Sequence, residues 1–236
     1  MECFVTGRGG FIGKNVCQFI NKMGGELVDT ITEGCTVVHL AAYGNHSFQQ
    51  EPEKIIKANI IDLKGLIHAA QKNNVIKFYN ISSSSVTLPI QTMYSASKMF
   101  GETMINALKD ERFVNVRPYS VYGIGEADHR FIPTVIRHLE SGETMKLATQ
   151  PCHDWICVED FVSAMFEGYE EVGTGYSHSN KAIVEMLENI SGKKLNFEEA
   201  NFRDYDNFSW RCKKGVPHRS IYEGLKQTYE HYTNLK

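Results

Sequence analysis

The sequence predicts an α/β fold in which a doubly wound parallel sheet, in abbreviated form, carries a small and mainly helical C-terminal lobe. In the first half of the chain, short apolar or β-branched runs alternate with longer amphipathic segments, which is the pattern of βαβ units. After Gly123 that alternation weakens and helical periodicity dominates. The 236 residues, 42% of them hydrophobic, suffice for one buried sheet with a lobe attached.

The individual elements follow from the same patterns. We expect strands at residues 1–6, 36–41, 76–82 and 113–117, where apolar and β-branched residues cluster. Helices are expected at residues 10–23, 55–73 and 93–108 between these strands, and at 132–141, 160–169, 181–191 and 220–232 in the second half. Since residues 26–29 lie close to the second apolar strand, the helix and strand that usually intervene are predicted to be missing.

Composition limits the classes of partner. The formal net charge of −3 gives no general basic field, so neither nucleic acid nor an anionic membrane is indicated. No apolar run reaches the ~18 residues of a membrane-spanning helix, and no leader pattern precedes the first strand. Six cysteines without C-x-x-C or zinc-site spacing predict free thiols and no metal. A cytoplasmic protein is the resulting expectation.

A glycine-rich turn follows the first strand and opens the first helix, with the pattern T-G-x-x-G-x-x-G. Gly7 permits the tight turn, Gly10 lets backbone approach a ligand, and Gly13 permits close helix packing. Phe11 and Ile12 begin a helix whose free N–H groups attract an anion. Such turns also occur without a ligand, but this strand and helix context predicts a Rossmann-like site for the pyrophosphate of a dinucleotide.

The choice between NAD and NADP rests on two residues. Asp29 lies near the distance at which an acid binds the adenosine ribose of NAD, and it is otherwise a solvated loop acid. Arg8 instead favours the 2′-phosphate of NADP. The sequence leaves both cofactors open.

Tyr94 and Lys98 are four residues apart and therefore share one face of a helix. A nearby ammonium lowers the pKa of a phenol, so that Tyr94 can take a proton from a hydroxyl. A hydroxyl from the run Ser82 to Ser85, at the end of the preceding strand, is expected to bind the reacting oxygen. A tyrosine and a lysine at this spacing are more often an ordinary surface pair, and the glycine turn and serine run argue for the functional interpretation.

Taken together, these segments resemble the extended short-chain dehydrogenase/reductases that act on nucleotide-sugars. The resemblance extends over nearly the whole chain and is carried by Thr6 to Gly13, His39-Leu40-Ala41-Ala42, Asn59, Tyr94-x-x-x-Lys98, Arg117-Pro118-Tyr119-Ser120-Val121-Tyr122-Gly123, His153-Asp154-Trp155 with the residues to Asp160, and residues 215–232.

The resemblance implies a set of site residues. Ser83, Tyr94 and Lys98 are the implied catalytic residues. The implied cofactor-binding residues are Gly7, Arg8, Gly10, Phe11, Ile12, Gly13, Asp29, Leu40, Ala41, Ala42, Asn59, Tyr94, Lys98 and Tyr119. Ser83, Ser84, His153 and Arg211 are the implied contacts to the substrate. His153 stands where many relatives have a phosphate-binding arginine, and Arg203, Arg211 and Arg219 are the alternative sources of charge, although each is more often a surface residue.

The weaker alternation after Gly123 predicts a division of the chain, and the resemblance implies a dimer. Residues 1–123 are expected to bind the dinucleotide, with 153–168 returning to that domain, and 124–236 mainly to bind the substrate. The helices at 55–73 and 93–108 are implied to form a homodimer interface, with Ile60, Leu63, Ile67, Met99, Met104 and Leu108 as candidates, most of them more suited to the core.

The reaction is narrowed by Ser84 and Ser85, which stand where related dehydratases carry an Asp-Glu pair. A hydroxyl cannot replace a carboxyl as acid or base at neutral pH, so dehydration and decarboxylation are disfavoured as the reaction of this protein. An NAD-dependent 4-epimerase is favoured over an NADPH-dependent 4-ketosugar reductase. A non-catalytic nucleotide-binding protein on a reduced fold is the alternative from another class.

Overall fold

The computed structural model describes residues 1–46, 48–203, 206 and 210–234. By their internal contacts the residues form two compact units, the first comprising Met1–Pro118 and Gly168–Glu171 and the second Tyr119–Glu167 and Val172–Lys236. Residues 153–167 therefore group with the second unit. The assignment of dinucleotide and substrate binding to separate parts of the chain stays a prediction.

The first unit contains a six-stranded sheet, except for Val172 of its last strand. Its strands lie in the order β2 (Glu26–Val28), β1 (Glu2–Thr6), β3 (Thr36–His39), β4 (Lys77–Ile81), β5 (Phe113–Pro118) and β10 (Glu171–Val172). The pairs from β2 to β5 are all parallel. Parallel pairing brings the carboxyl ends of these strands to one edge of the sheet, which is where ligands of open α/β sheets bind.

Four helical segments of the first unit accompany this sheet. They are α1 (Phe11–Lys22), α2 (Pro52–Ile56), α3 (Asp62–Lys72) and α4 (Met93–Ala107). The helix expected at residues 55–73 is thus α2 and α3 joined by a π-helical turn, Lys57–Ile61. Residues 29–35 form neither helix nor strand, so the adenosine side of the fold is abbreviated. The core under α3 and α4 contains Val37, Leu63, Ile67, Phe78, Ile105 and Phe113.

The second unit is mainly helical. It contains α5 (Phe131–Ser141), α6 (Val158–Phe166), α7 (Asn180–Ser191) and α8 (Ile221–Asn234). Short strands pair around them: β6 (Ser120–Tyr122) with β9 (Trp155–Cys157), β7 (Met145–Leu147) with β12 (Phe197–Glu199), and β8 (Cys152–His153) with β11 (His178–Ser179). Its core includes Tyr122, Ile132, Leu139, Leu147, Trp155, Ile183, Leu187 and Leu225.

Asp154 connects three distant segments of the second unit. Its side chain is 1% exposed. One carboxylate oxygen accepts hydrogen bonds from the Thr174 backbone N–H at 2.7 Å and from the Thr174 hydroxyl at 2.6 Å. The other accepts from the backbone N–H groups of Gly175 and Cys212, both at 2.9 Å. Four donors compensate this carboxylate for its loss of water, and Asp154 is thereby a structural residue.

Among the described helices, none combines the length and the apolar character that crossing a bilayer requires.

Candidate active site

The glycine turn between β1 and α1 is closed tightly on itself. Gly7 has a φ of +71°, a conformation that favours glycine. There is also no room for a side chain, since a Cβ on Gly7 would lie 2.9 Å from the Ala41 backbone nitrogen. The Gly10 N–H donates to the Gly7 carbonyl oxygen at 3.0 Å. A Cβ on Gly13 would collide with that same carbonyl oxygen. Backbone geometry therefore requires glycine at both ends of the turn, as the sequence predicted.

The beginning of α1 is suited to an anion. Gly10 is the N-cap and provides no side-chain hydrogen bond, and no acidic residue lies in the first turn, which begins at Phe11 and Ile12. A Cβ on Gly9 would meet nothing within 4 Å, so the outer side of the turn is open. Uncapped N–H groups beside open space fit the pyrophosphate of a dinucleotide.

The segment after β3, Leu40 to Ala42, is held against the turn by Thr6. The Thr6 hydroxyl oxygen accepts from the backbone N–H groups of Leu40 and Ala41, both at 3.1 Å, and lies 2.8 Å from Nδ1 of His39. Since both lone pairs are occupied, the hydroxyl hydrogen is donated to His39, which carries its own proton on Nε2. Burial, with a contribution from the charge of Lys98, lowers the pKa of His39 to about 3, so the ring is neutral.

Arg8 and Asp29 form a pair with each other. The Arg8 guanidinium donates to Asp29 at 2.8 Å, to the Val28 carbonyl oxygen, and to the Val5 carbonyl oxygen at 3.2 Å. It thus links the ends of β1 and β2. The Asp29 side chain is 94% exposed, and an ion pair at such a position contributes only ~0–1 kcal/mol. Either residue remains available to the adenosine ribose or its phosphate, and both assignments stay predictions.

Asn59 is 3% exposed and lies within the π-helical turn. Its amide oxygen accepts from the Tyr43 N–H at 2.9 Å, and its amide nitrogen donates to the Tyr43 carbonyl and to the Ser97 hydroxyl, both at 2.8 Å. These bonds fasten the segment after β3 to α4. A contact between Asn59 and the cofactor stays a prediction, because the described bonds give the amide a positioning role.

Ser83 caps a 3₁₀ turn, Ser84–Thr87, immediately after β4. Its hydroxyl oxygen accepts from the Ser85 N–H at 3.1 Å and lies 2.8 Å from the Ser85 hydroxyl. When Ser85 donates both its backbone N–H and its hydroxyl hydrogen to Ser83, the hydroxyl hydrogen of Ser83 can be donated to another acceptor. Ser84 is 2% exposed, and its carbonyl oxygen accepts from the Thr87 hydroxyl at 2.8 Å.

Tyr94 and Lys98 lie in consecutive turns of α4. A capping box formed by Thr92 and Ser95 fixes the start of this helix, so Tyr94 sits in its first turn. Tyr94 is half-buried, and a Cβ on Gly44 would lie 3.4 Å from its Cβ. Lys98 is 5% exposed, and burial lowers its pKa to about 8. At neutral pH it is mostly an ammonium ion, which is the form that favours a phenolate.

Sequence reasoning missed the carboxylate that follows on the same helix. Glu102 is 4% exposed and accepts from the Arg117 guanidinium on β5 at 2.8 and 2.6 Å. The signal was present, since Glu102 is again four residues beyond Lys98. The partner could not be found locally, because Arg117 is 15 residues away along the chain.

The remaining predicted residues belong to the second unit. Tyr119 donates its backbone N–H to the Val172 carbonyl at 3.0 Å and its ring centroid lies 5.9 Å from that of Trp210. The His153 ring is near two indole rings, with centroid distances of 5.4 Å to Trp155 and 6.4 Å to Trp210. Burial lowers the pKa of His153, so at neutral pH it does not supply the positive charge of the arginine that the family resemblance implies at this position.

An open cleft of about 740 Å³ in the second unit has a basic lining. Arg211, Lys213 and His218 are among the residues that line it, together with Gly175 and Tyr176. Arg219 is not available there, because it is paired with Asp160 at 3.0 Å. Arg203 is paired with Asp206 at 2.7 Å. Arg211 is therefore the predicted arginine that stands at a cleft.

Comparisons with known proteins place these features in context. The sequence model of the NAD dependent epimerase/dehydratase family matches residues 31–184. The chain is 25% identical to the CDP-abequose synthase of Salmonella typhimurium (strain LT2), over 86% of each protein. It is also 25% identical to the GDP-6-deoxy-D-talose 4-dehydrogenase of Aggregatibacter actinomycetemcomitans, over 84% of this chain and 83% of that one.

A solved structure extends the likeness to the fold. The UDP-glucose 4-epimerase of Thermotoga maritima, crystallised with UDP-glucose, has a TM-score of 0.83 at 18% identity and covers 100% of this chain and 99% of that chain. At this identity the likeness concerns the fold, and it confirms the predicted Rossmann-like α/β class.

Proposed function

Since the chain belongs to the NAD dependent epimerase/dehydratase family, we propose that it is a nucleotide-sugar 4-epimerase that inverts one carbon of its substrate by transient oxidation. Because this family consists of NAD-dependent enzymes, we reject the alternative of a non-catalytic nucleotide-binding protein. NAD, when bound, supplies the acceptor and donor of hydride. The uncapped start of α1 and the turn from Gly7 to Gly13 would hold its pyrophosphate.

Three side chains of the first unit would perform the proton transfer. Tyr94 takes the proton of the sugar hydroxyl while that carbon is oxidised and returns it on reduction. The ammonium of Lys98, one helical turn away, stabilises the phenolate form of Tyr94. Ser83 donates its hydrogen to the reacting sugar oxygen, because its own oxygen already accepts from Ser85.

The 3₁₀ turn after β4 is the observation that favours an epimerase over a dehydratase. Ser84 and Ser85 occupy the two positions after Ser83, and neither has a carboxyl group. Elimination of water needs an acid and a base at neighbouring carbons, and serine hydroxyls do not ionise near neutral pH. Oxidation and reduction at a single carbon need only Tyr94, Lys98 and Ser83.

The cleft of the second unit is the candidate site for the nucleotide diphosphate of the substrate. Arg211 and Lys213 bring positive charge to it, and arginine suits phosphate because it donates two parallel hydrogen bonds. His153 would not supply a positive charge at neutral pH, since burial lowers its pKa. Phosphate recognition would thus move from the position of His153 to Arg211.

A second candidate is an NADPH-dependent 4-ketosugar reductase. It is favoured by the relative named GDP-6-deoxy-D-talose 4-dehydrogenase, whose name denotes net oxidation or reduction at carbon 4. The same three side chains would act, and Arg8 beside Asp29 offers charge for a 2′-phosphate.

Product and cofactor analysis distinguish the two candidates. Mass spectrometry identifies the ligands that the purified protein retains. Assays with UDP-, CDP- and GDP-sugars should then give a carbon-4 epimer without net change in NADH absorbance. Stoichiometric consumption of NADPH with a 4-ketosugar would instead establish the reductase.

The role of Tyr94 is tested by Tyr94→Phe. This change keeps the ring but removes the acid/base oxygen, so turnover should fall by at least ~10²- to 10⁴-fold while calorimetric NAD affinity is retained. Tyr222→Phe, at a tyrosine of α8 that is 46% exposed, is the matched control. Turnover of Tyr94→Phe near that of the unmodified enzyme would refute the proposed mechanism.

A further inference from the structure

One face of α4 carries a series of functional groups spaced by one helical turn each. Tyr94, Lys98 and Glu102 are at successive four-residue intervals. Lys98 is 5% and Glu102 4% exposed. Two buried opposite charges in consecutive turns ordinarily pair directly, because neither has water to replace its partner.

Here the two charges do not pair with each other. Both oxygens of Glu102 accept from Arg117, at 2.8 and 2.6 Å, in a bidentate arrangement. Arg117 also lies 3.4 Å from Glu171 of the neighbouring strand β10. Throughout the described ranges, no ion pair involves Lys98. Arg117 therefore holds the carboxylate that would otherwise bind the lysine.

Two other titratable groups belong to this neighbourhood, His39 and Asp62. His39 on β3 interacts with Lys98, and it is neutral because burial lowers its pKa to about 3. Asp62 of α3 acts on His39. Burial lowers the pKa of Lys98 and Glu102 opposes that effect. The charge balance at Lys98 consequently depends on Glu102, and Arg117 of β5 enters through its pair with Glu102.

We infer that Glu102 and Arg117 are a positioning pair that keeps Lys98 free of a direct carboxylate partner and thereby makes its positive charge act on Tyr94. The inference rests on the proposed acid/base role of Tyr94. Glu102 lies two turns from Tyr94 on α4, and removing Glu102 or its partner Arg117 changes the charge beside Lys98 in opposite directions. At such distances a unit charge shifts a titration by about one pH unit or somewhat less.

The phenol of Tyr94 can be titrated without a substrate. Tyrosinate absorbance is followed against pH in the NAD complex of each protein, and the same curve from its Tyr94→Phe counterpart is subtracted, so that the other tyrosines cancel. Glu102→Gln removes a negative charge and should move the Tyr94 titration to lower pH. Arg117→Met frees the carboxylate to neutralise Lys98 and should move it to higher pH. The double variant should return close to the unmodified titration.

Controls separate charge from structure. Arg117→Lys keeps the charge and should keep the titration. Arg112→Met disrupts another arginine–carboxylate pair of the first unit, with Asp110 at 2.7 Å, and should cause no shift. Circular dichroism verifies folding, and Arg117→Gln replaces Arg117→Met if the latter does not fold.

The outcomes distinguish this inference from the proposed function. Equal or absent shifts in Glu102→Gln and Arg117→Met, with Tyr94 still titrating below the ~10 of an ordinary tyrosine, overturn the positioning pair alone. A Tyr94 titration at or above ~10 in the unmodified NAD complex overturns the proposed acid/base role.

Discussion

Two buried glutamates show how the partner of a side chain decides its chemistry. Glu102 gives both oxygens to Arg117. Glu126, 5% exposed, lies 3.4 Å from Arg130 through one oxygen, while its other oxygen has no hydrogen-bond partner among the described residues. Burial raises the pKa of Glu126 to about 7. Its carboxylate form is therefore disfavoured in the folded protein.

The pKa of Glu126 predicts a pH dependence of stability. A folded-state pKa raised above the ordinary value of 4.5 gives stability that is fully present below about pH 4.5 and is lost as pH rises through about 7. Glu126→Gln cannot ionise, so relative to the unmodified protein it should gain on the order of 1–3 kcal/mol between about pH 5 and about pH 8.

Urea unfolding at both pH values measures this difference. Glu185→Gln, at a glutamate of α7 whose side chain is 58% exposed, is the matched control and should show no such gain. A pH-independent difference between Glu126→Gln and the unmodified protein would contradict the assignment.

At the scale of elements, the turn between β1 and α1 offers a matched pair of substitutions. Gly13→Ala places a Cβ against the Gly7 carbonyl oxygen, so the turn must open and NAD affinity should fall at least tenfold. Gly9→Ala meets open space and should bind NAD nearly as the unmodified protein does. Isothermal calorimetry compares the two, and equal affinities would mean that the pyrophosphate does not lie over this turn.

Elements with a clear hydrophobic periodicity were predictable from the sequence. Elements that depend on a partner distant in the sequence were not. The strand over Glu2–Thr6 and the helix over Met93–Ala107 follow from apolar runs and helical spacing. The three-residue strands of the second unit carry no alternation of their own and exist because a partner is present, as β6 pairs with β9. The π-helical turn likewise has no local signal.

The candidate site divides in the same way. The glycine turn and the pair Tyr94 and Lys98 follow from local spacing, whereas Ser83 is assigned by the family resemblance, and the functional roles of all of them stay predictions. The bond network of Asn59 and the pairing of Arg8 with Asp29 depend on residues 16 to 38 positions away and emerged only from the fold.

At the scale of the whole molecule, the first unit exposes apolar side chains on the helices implicated in a homodimer. Ile61 is 57%, Phe100 49% and Met99 40% exposed, whereas Leu63 and Ile67 are buried in the core. We predict that sedimentation equilibrium finds a dimer and that Phe100→Glu converts it to a monomer, because a charge would be buried in the interface. Tyr222→Glu is the control, and a monomeric unmodified protein would contradict the prediction.

The carboxylate of Asp154 imposes an order on biosynthesis. Its last donor, the Cys212 N–H, is 58 residues further along the chain. At a ribosomal rate of ~5–20 residues per second, Asp154 leaves the peptidyl-transferase centre about 3 to 12 seconds before that donor exists. The second unit cannot reach its final packing during this interval, because at most the donors of Thr174 and Gly175 can reach the carboxylate before Cys212 is synthesised.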